Sequence, residues 1–189
     1  MKDSPKDITF HYTNEKMVKD LISLIPFNSN DSVLDAGSGK NKVWYKNIPV
    51  KEKYECEIED GIDFLQWNQK VDWVLGNPPF HISWLFTEKA TTISNKGICW
   101  LVNNTGLNSL LTPRRLEKLK DAGFELQSIR VVSDKRWFGR YYFLVFEKRK
   151  GFLSWEKKTY SELAPTNKEI VSEKITATTT EFDEIMAMF

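Results

Sequence analysis

Two consecutive prolines, placed directly after an apolar segment, limit the folds open to this chain more than any other feature. The apolar segment 71–75 is predicted to be a buried strand, and Asn77-Pro78-Pro79-Phe80 follows it closely. Proline fixes its own φ angle, lacks an N–H donor and disfavours helical backbone in the preceding residue. The tetrapeptide can continue neither a central strand nor a helix interior, so we expect a stiff turn at the carboxyl end of a strand. Ligands bind at that edge in open α/β sheets.

Short apolar strands alternate with helical patterns through the middle of the chain, which favours an α/β fold with a parallel sheet. A first helix is predicted to begin after an N-cap at Thr13 and to end at Pro26. The other predicted elements are strands at 32–36, 54–58, 71–75, 98–102, 124–132 and 141–147, and helices at 82–94 and 112–122. The last two strands are too close in sequence for a helical crossover, so they should pair antiparallel.

Length and composition narrow the class of protein further. A chain of 189 residues fits one compact domain with a core of its own. No apolar run is long enough to cross a bilayer, and the first residues lack the apolar stretch of a signal peptide. Cys56 and Cys99 lie far apart in strand-like segments, which favours buried free thiols over a disulfide. We therefore expect a cytoplasmic protein.

A glycine-rich turn follows the first predicted strand. Asp35 ends that strand, and Gly37 and Gly39 allow the backbone to turn sharply and approach a ligand. A phosphate-binding loop would need Ser or Thr where Asn41 stands, and a dinucleotide fingerprint would need a third glycine at Lys42. The turn is thus better suited to an uncharged or zwitterionic nucleoside ligand.

Two acidic positions follow the glycine turn. Glu57 ends the second predicted strand, where a carboxylate can accept hydrogen bonds from both ribose hydroxyls. Asp63-Phe64 follows, and a carboxylate beside an aromatic ring can bond an adenine amino group and stack on the base. A solvated acid at Glu57 and a core aromatic at Phe64 remain open as alternatives.

The residue types of the tetrapeptide suit the chemistry of an amino group on a base. Such a nitrogen is a poor nucleophile because its lone pair is delocalised into the ring. The side-chain oxygen of Asn77 and a neighbouring backbone carbonyl can each accept one N–H, which favours a pyramidal nitrogen. Phe80 offers a flat face for stacking, worth roughly 1–3 kcal/mol per base. The alternative is a purely structural turn that ends the strand.

Taken together, these motifs resemble the class I S-adenosylmethionine (SAM) methyltransferases, specifically the DNA N6-adenine type, over residues 10–147. The resemblance implies a Rossmann-like fold with a mainly parallel sheet and a terminal antiparallel hairpin. It implies that Asn77, Pro78, Pro79 and Phe80 form the catalytic corner. The cofactor residues that it implies, with no metal, are Tyr12, Thr13, Asp35, Gly37, Gly39, Glu57, Asp63 and Phe64.

The loop between the last two predicted strands corresponds to a region that contacts the substrate in the family. The residues that the resemblance assigns to the substrate are Lys135, Arg136, Trp137, Phe138 and Arg140. Residues 101–150 hold 11 basic and 5 acidic side chains, which suits a surface that faces a polyanion. A Trp-Phe pair that anchors the hairpin into the core is the alternative.

The sequence also departs from the family. Asn14 stands where proline is usual, Asn41 where many members have a third glycine, and the segment between Glu57 and Asp63 is short. We predict a catalytic domain over residues 1–150 and a tail of unassigned role over 151–189, without a full target-recognition domain. Sequence specificity would then be low or supplied by a partner.

The function that the resemblance implies is methyl transfer from SAM to the exocyclic amino group of adenine in DNA. An RNA base methyltransferase, acting on adenine N6 or guanine N2, is the close alternative because the same tetrapeptide serves both. A protein-glutamine methyltransferase and a partner-dependent cofactor-binding subunit are more distant alternatives. The expected partner is nucleic acid, DNA ahead of RNA, with a specificity-providing protein or a homodimer left open and no membrane.

Overall fold

The structure is a computed structural model, and it describes residues 13–135 and 139–156. The chain divides into two units between Ser154 and Trp155, and every described helix and strand belongs to the first. The described helices are α1 (Glu15–Ile22), α2 (Val43–Asn47), α3 (Ser83–Ile93), α4 (Asn104–Leu110) and α5 (Pro113–Asp121), with short 3-10 helices at Ile58–Asp60, Phe64–Gln66 and Phe80–Ile82. The described strands are β1 (Ser32–Ala36), β2 (Glu52–Cys56), β3 (Val71–Gly76), β4 (Ser94–Asn103), β5 (Glu125–Val132) and β6 (Tyr141–Glu147).

The six strands form one sheet in the order β2-β1-β3-β4-β6-β5. Strands β1 to β4 are parallel to one another, and β6 is antiparallel to both of its neighbours. The predicted mainly parallel sheet with a late antiparallel hairpin is therefore confirmed. Tyr141, the first residue of β6, lies opposite Asn103 at the end of β4 and Val132 at the end of β5. The β5–β6 connection consequently lies at the edge where the parallel strands end.

Helices cover both faces of the sheet and create two apolar clusters. Helices α3, α4 and α5 pack on one face, around buried residues such as Leu34, Trp100 and Phe146. Helices α1 and α2 pack on the other, around residues such as Trp73 and Phe143. Because both faces are covered, the central strands are buried almost throughout, as expected of a parallel sheet.

The first helix differs from the prediction at both ends. Its N-cap is Asn14, whose Oδ1 accepts hydrogen bonds from the backbone N–H of Lys16 at 2.8 Å and Met17 at 3.4 Å. The predicted N-cap at Thr13 was wrong by one residue, because both residue types can cap and only the backbone path selects between them. The helix also ends at Ile22, before Pro26.

Candidate functional site

The turns that follow β1 and β3 lie side by side at the carboxyl edge of the sheet. Asp35 pairs with Leu75 in the β1–β3 register, so the two strands end together. Gly76 has a φ of +152°, and a Cβ at that position would lie 2.7 Å from the carbonyl oxygen of Ala36. Only glycine permits this approach of the two backbones. The glycine turn and the Asn77–Phe80 turn therefore leave the sheet next to each other.

Asn77 carries a buried acceptor with no donor. Its side-chain oxygen accepts no hydrogen bond from any residue that the structure describes, although the atom is shielded from solvent. Pro78 behind it is buried and Pro79 is exposed, so the turn is anchored on one side only. An unpaired buried acceptor costs about 1–3 kcal/mol. Such an atom suits an external N–H donor.

The ring of Phe80 connects this turn to the hairpin. It is half-buried, and its centroid lies 5.9 Å from that of Tyr141 in an edge-on arrangement. The turn is held by two hydrogen bonds, from the backbone N–H of Ile82 to Pro79 O at 3.0 Å and from Ser83 Oγ to Phe80 O at 3.1 Å. Phe80 therefore keeps a fixed position beside the start of β6, with part of its face accessible.

Asp35 carries a second buried acceptor without a donor. One carboxylate oxygen accepts the backbone N–H of Tyr45 at 2.9 Å, and the other accepts nothing from the described residues. The side chain is fully buried. Burial, with smaller effects from the nearby charges of Glu55 and Glu57, raises the pKa of Asp35 to about 8. The group therefore favours a proton or a cationic donor.

The glycine turn is fastened to the end of β2. Gly37 and Gly39 have φ angles of +74° and +63°, which place their amides toward the next strand. The backbone N–H of Gly37 donates to Cys56 O at 3.0 Å, and that of Gly39 donates to Glu57 Oε2 at 2.6 Å. Glu57 is half-buried. The structure thus brings Asp35, the glycine turn and Glu57 together.

Asp63 and Phe64 have different environments. Asp63 is half-buried, and its Oδ1 accepts the backbone N–H of Leu65 at 2.9 Å. The ring of Phe64 is only 3% exposed and packs on Phe86 and Trp100, with centroids 4.7 and 6.4 Å away. That ring belongs to the core under the sheet edge. The predicted stacking of the Phe64 ring on a ligand is therefore wrong, because core packing covers the ring, whereas Asp63 is partly exposed.

The hairpin and the N-terminal segment are described in part. Lys135 and Arg140 are exposed on either side of the β5–β6 connection, and Thr13 is half-buried just before α1. The predicted site residues Tyr12, Arg136, Trp137 and Phe138 lie outside the described residues. Within the described part of the chain, no helix is long and apolar enough to span a membrane.

The sequence matches no protein-family model and no curated protein. Solved structures do resemble the fold. The magnesium protoporphyrin IX methyltransferase from Synechocystis, determined with SAM bound, shares 12% identity over 71% of this chain and 79% of that chain, with a TM-score of 0.54. A dimethyladenosine transferase from Plasmodium falciparum shares 15% identity over 71% of this chain and 61% of that chain, with a TM-score of 0.55. The 23S rRNA methyltransferase ErmE shares 13% identity over 76% and 72%, with a TM-score of 0.56.

This chain has the methyltransferase fold. The identities are low, so the likeness concerns the fold alone, and the names of the three proteins do not point to one common substrate. One is named for a porphyrin, one for adenosine and one for ribosomal RNA. The activity of this chain must therefore be argued from its own side chains.

One residue beside the glycine turn has no counterpart among the predicted site residues. Ile58 directly follows Glu57, begins the 3-10 helix Ile58–Asp60 and is 70% exposed. Its position beside the glycine turn suits the flat face of a base. The sequence signal for Ile58 was its place directly after the acid Glu57, at the end of the predicted strand 54–58.

Proposed function

We propose that this protein transfers a methyl group from SAM to an exocyclic amino group of a nucleic-acid base, adenine in DNA first. The observation that carries the proposal is a pair of buried oxygens, one on Asn77 and one on Asp35, that accept no hydrogen bond from the described residues. The two side chains leave neighbouring strands at one edge of the sheet. One acceptor suits the base and the other suits the cofactor.

The residues around the glycine turn fit SAM. The unpaired oxygen of Asp35 suits the ammonium group of the methionine part, since a cation there would favour the ionised carboxylate. In this proposal Glu57 would accept hydrogen bonds from the ribose hydroxyls, Asp63 would accept one from the adenine amino group, and the exposed Ile58 would contact the face of the adenine. When bound, SAM supplies a methyl group on a positively charged sulfur, which is an electrophile.

The corner Asn77–Phe80 would hold the target base. Asn77 Oδ1 accepts one N–H of the amino group and keeps its nitrogen pyramidal, while Phe80 stacks on the ring. The amino group loses its proton only after attack, so no strong base is needed and the exposed His81 has no assigned part. In duplex DNA the base must also be flipped out, at a cost of a few kcal/mol.

Contacts to the substrate backbone are proposed for the hairpin. Lys135 and Arg140 are exposed at the same edge of the sheet and suit phosphate groups. The family resemblance also assigns Arg136 to the phosphates, and Trp137 or Phe138 to stacking on the base from the side opposite Phe80. A specificity-providing protein or a homodimer would complement these contacts if the chain's own specificity is low.

RNA is the second candidate substrate, with adenine N6 or guanine N2 as the target. Two of the similar structures, the 23S rRNA methyltransferase and the dimethyladenosine transferase, favour it. The segment Phe10-His11-Tyr12-Thr13-Asn14 and the hairpin sequence, which resemble the DNA N6-adenine type, favour DNA. Both substrates would use the same corner.

A labelling experiment tests the proposal. The protein is incubated with methyl-labelled SAM and, separately, with DNA, RNA or a protein mixture, and each product is digested to single units. We expect N6-methyladenine from DNA with the wild type, formed about 10²–10³ times more slowly with Asn77→Ala. Label in an adenine or guanine of RNA would identify RNA as the substrate in place of DNA. Label confined to glutamine in protein, or no label at all, would overturn it.

A further inference from the structure

Lys42 has a backbone conformation that is costly for a lysine. It is the one non-glycine residue with a positive φ in the described ranges, at +48°, and it precedes α2 without capping it through its side chain. Left-handed backbone is disfavoured for residues with a Cβ, and it persists where the surrounding structure imposes it. The Lys42 side chain makes its contacts from this conformation.

The side chain of Lys42 extends from the glycine turn to β2 and to the segment that follows β2. Its Nζ pairs with Glu55 and lies 3.2 Å from Asp60 Oδ2. The second carboxylate oxygen of Glu55 accepts a hydrogen bond from Ser38 Oγ at 2.5 Å. Both carboxylate oxygens of Glu55 are therefore bound by residues of the glycine turn, one by Ser38 and one by Lys42, and Lys42 also pairs with Asp60.

Glu57 lies between Glu55 and Asp60 in the sequence. Its Oε2 accepts the backbone N–H of Gly39 at 2.6 Å. The segment 55–60 carries four acids, and the other nearby lysine, Lys40, is 70% exposed and 3.4 Å from Glu59. Without Lys42, repulsion among these acids would favour a more open segment. The cation thus offsets the negative charge of the segment that carries Glu57, whose own carboxylate is held by the backbone N–H of Gly39.

We propose that Lys42 is a positioning residue that presents the Glu57 carboxylate to the ribose of the cofactor. This inference rests on the proposed function, since it takes SAM as the ligand. Lys42 acts through Glu57 and needs no contact with the ligand itself. Hydrogen bonds to Glu55 and Asp60 raise the pKa of Lys42, so it remains charged across the range in which the protein would work.

Three variants separate the side chain from the backbone. Lys42→Gly removes the ion pairs and also the backbone strain, so it should fold with a melting temperature close to that of the wild type. Its affinity for S-adenosylhomocysteine should fall on the order of tenfold in calorimetry. Lys42→Arg should retain most of the affinity. Lys40→Ala, the matched control in the same turn, should retain all of it.

A comparison of two nucleosides tests the link to the ribose. The wild type should bind adenosine more tightly than 2′,3′-dideoxyadenosine, and Lys42→Gly should lose that preference. In a Glu57→Gln background the Lys42→Gly change should cost little, because both changes remove the same contact. A merely structural lysine would weaken both nucleosides equally and lower the melting temperature.

The outcomes also distinguish this inference from the proposed function. Unchanged affinity in Lys42→Gly, with the wild type binding normally, would overturn the role of Lys42 alone. Tight cofactor binding without methyl transfer to any nucleic acid would overturn the proposed substrate and leave Lys42 in place. A wild type that binds neither S-adenosylhomocysteine nor adenosine would overturn both.

Discussion

Gly76 lies against Ala36 so closely that a Cβ on Gly76 would meet the Ala36 carbonyl oxygen at 2.7 Å. This contact sets the spacing between the two turns of the candidate site. A side chain there must push apart two backbones, which cannot yield as a flexible side chain would.

Gly76→Ala should therefore reduce methyl transfer more than its effect on folding suggests. The clash and the φ of +152° should cost about 1–3 kcal/mol of unfolding free energy, measured by urea denaturation. Gly123→Ala is the control. Gly123 also has a positive φ, of +87°, but a Cβ there would meet only a lysine side chain at 3.9 Å, so this variant adds backbone strain without a clash. Equal loss of activity in both variants would contradict the spacing argument.

Asn77→Ala should lower the rate of methyl transfer by about 10²–10³, as when one preorganised polar group is lost from an active site. Cofactor affinity should be unchanged. Stability should not fall, because the deleted oxygen has no partner among the described residues.

The control for Asn77 is Asn103, an asparagine at the end of the neighbouring parallel strand. Its Oδ1 caps α4 by accepting the backbone N–H of Gly106 at 3.0 Å. Asn103→Ala should lower stability by about 1 kcal/mol. A similar stability loss in Asn77→Ala would show that its oxygen makes an internal bond.

Asp35→Asn should stabilise the ligand-free protein at neutral and alkaline pH while weakening SAM binding. The pKa of Asp35 is raised from 3.8 to about 8, so the folded state holds a proton that the unfolded state has lost. Wild-type stability should accordingly fall as pH rises from about 4 to about 8, by on the order of a few kcal/mol. Thermal melts across that range should show the fall flattened in Asp35→Asn.

Asp31, which directly precedes β1 at the amino end of the parallel strands, has a lowered pKa where Asp35 has a raised one. Burial works to raise its pKa, but hydrogen bonds from Lys96, Asn28 and Trp73 outweigh this and lower the pKa below 3.8. Its contribution to stability is present at neutral pH and lost as pH falls through the folded pKa. Asp31→Asn should thus destabilise at pH 7, where Asp35→Asn does not.

Cofactor binding should release a proton below pH 8. The free protein holds Asp35 largely protonated there, and an ammonium group beside it would favour the carboxylate. Calorimetry in two buffers of different ionisation enthalpy should show release of up to about one proton. Heats that are independent of the buffer would contradict the pairing of Asp35 with a cation.

Lys135→Glu and Arg140→Glu should each weaken oligonucleotide binding and reduce the salt dependence of the affinity by about one unit of slope. Both side chains are exposed at the hairpin. Lys16→Glu, an exposed cation on α1, is the control and should change neither quantity. Anisotropy titrations at several salt concentrations measure all three, and equal effects in all three would indicate a merely global charge effect.

The strands were largely predictable because the sheet is covered on both faces. Segments 32–36 and 141–147 match β1 and β6, since continuous burial leaves an apolar run that needs no knowledge of its neighbours. The short helices α2 and α4 were missed. Each has only one or two buried residues, such as Trp44 in α2, and their formation depends on packing against the sheet.

The sequence was enough to select candidate site residues by their type, but not to predict their burial or their hydrogen-bond partners. An aromatic ring that stacks on a ligand and one that fills the core look alike in a sequence, and Phe64 is the second kind. The unpaired oxygens of Asn77 and Asp35 likewise emerge only when every neighbouring donor has a position. The conformation of Lys42 gives no signal in the sequence.

The strand β6 comes last of the described strands in the chain, although it lies between β4 and β5 in the sheet. During synthesis it therefore emerges after the residues that are proposed to bind the cofactor and the base. A nascent chain that has emerged as far as β4 already contains Asp35, Glu57 and Asp63. Tyr141, against which Phe80 rests, follows some forty residues later and is inserted between β4 and β5. A ribosome-bound intermediate would therefore contain every described group proposed for the cofactor, and the corner Asn77–Phe80, before β6 is available to support the ring of Phe80.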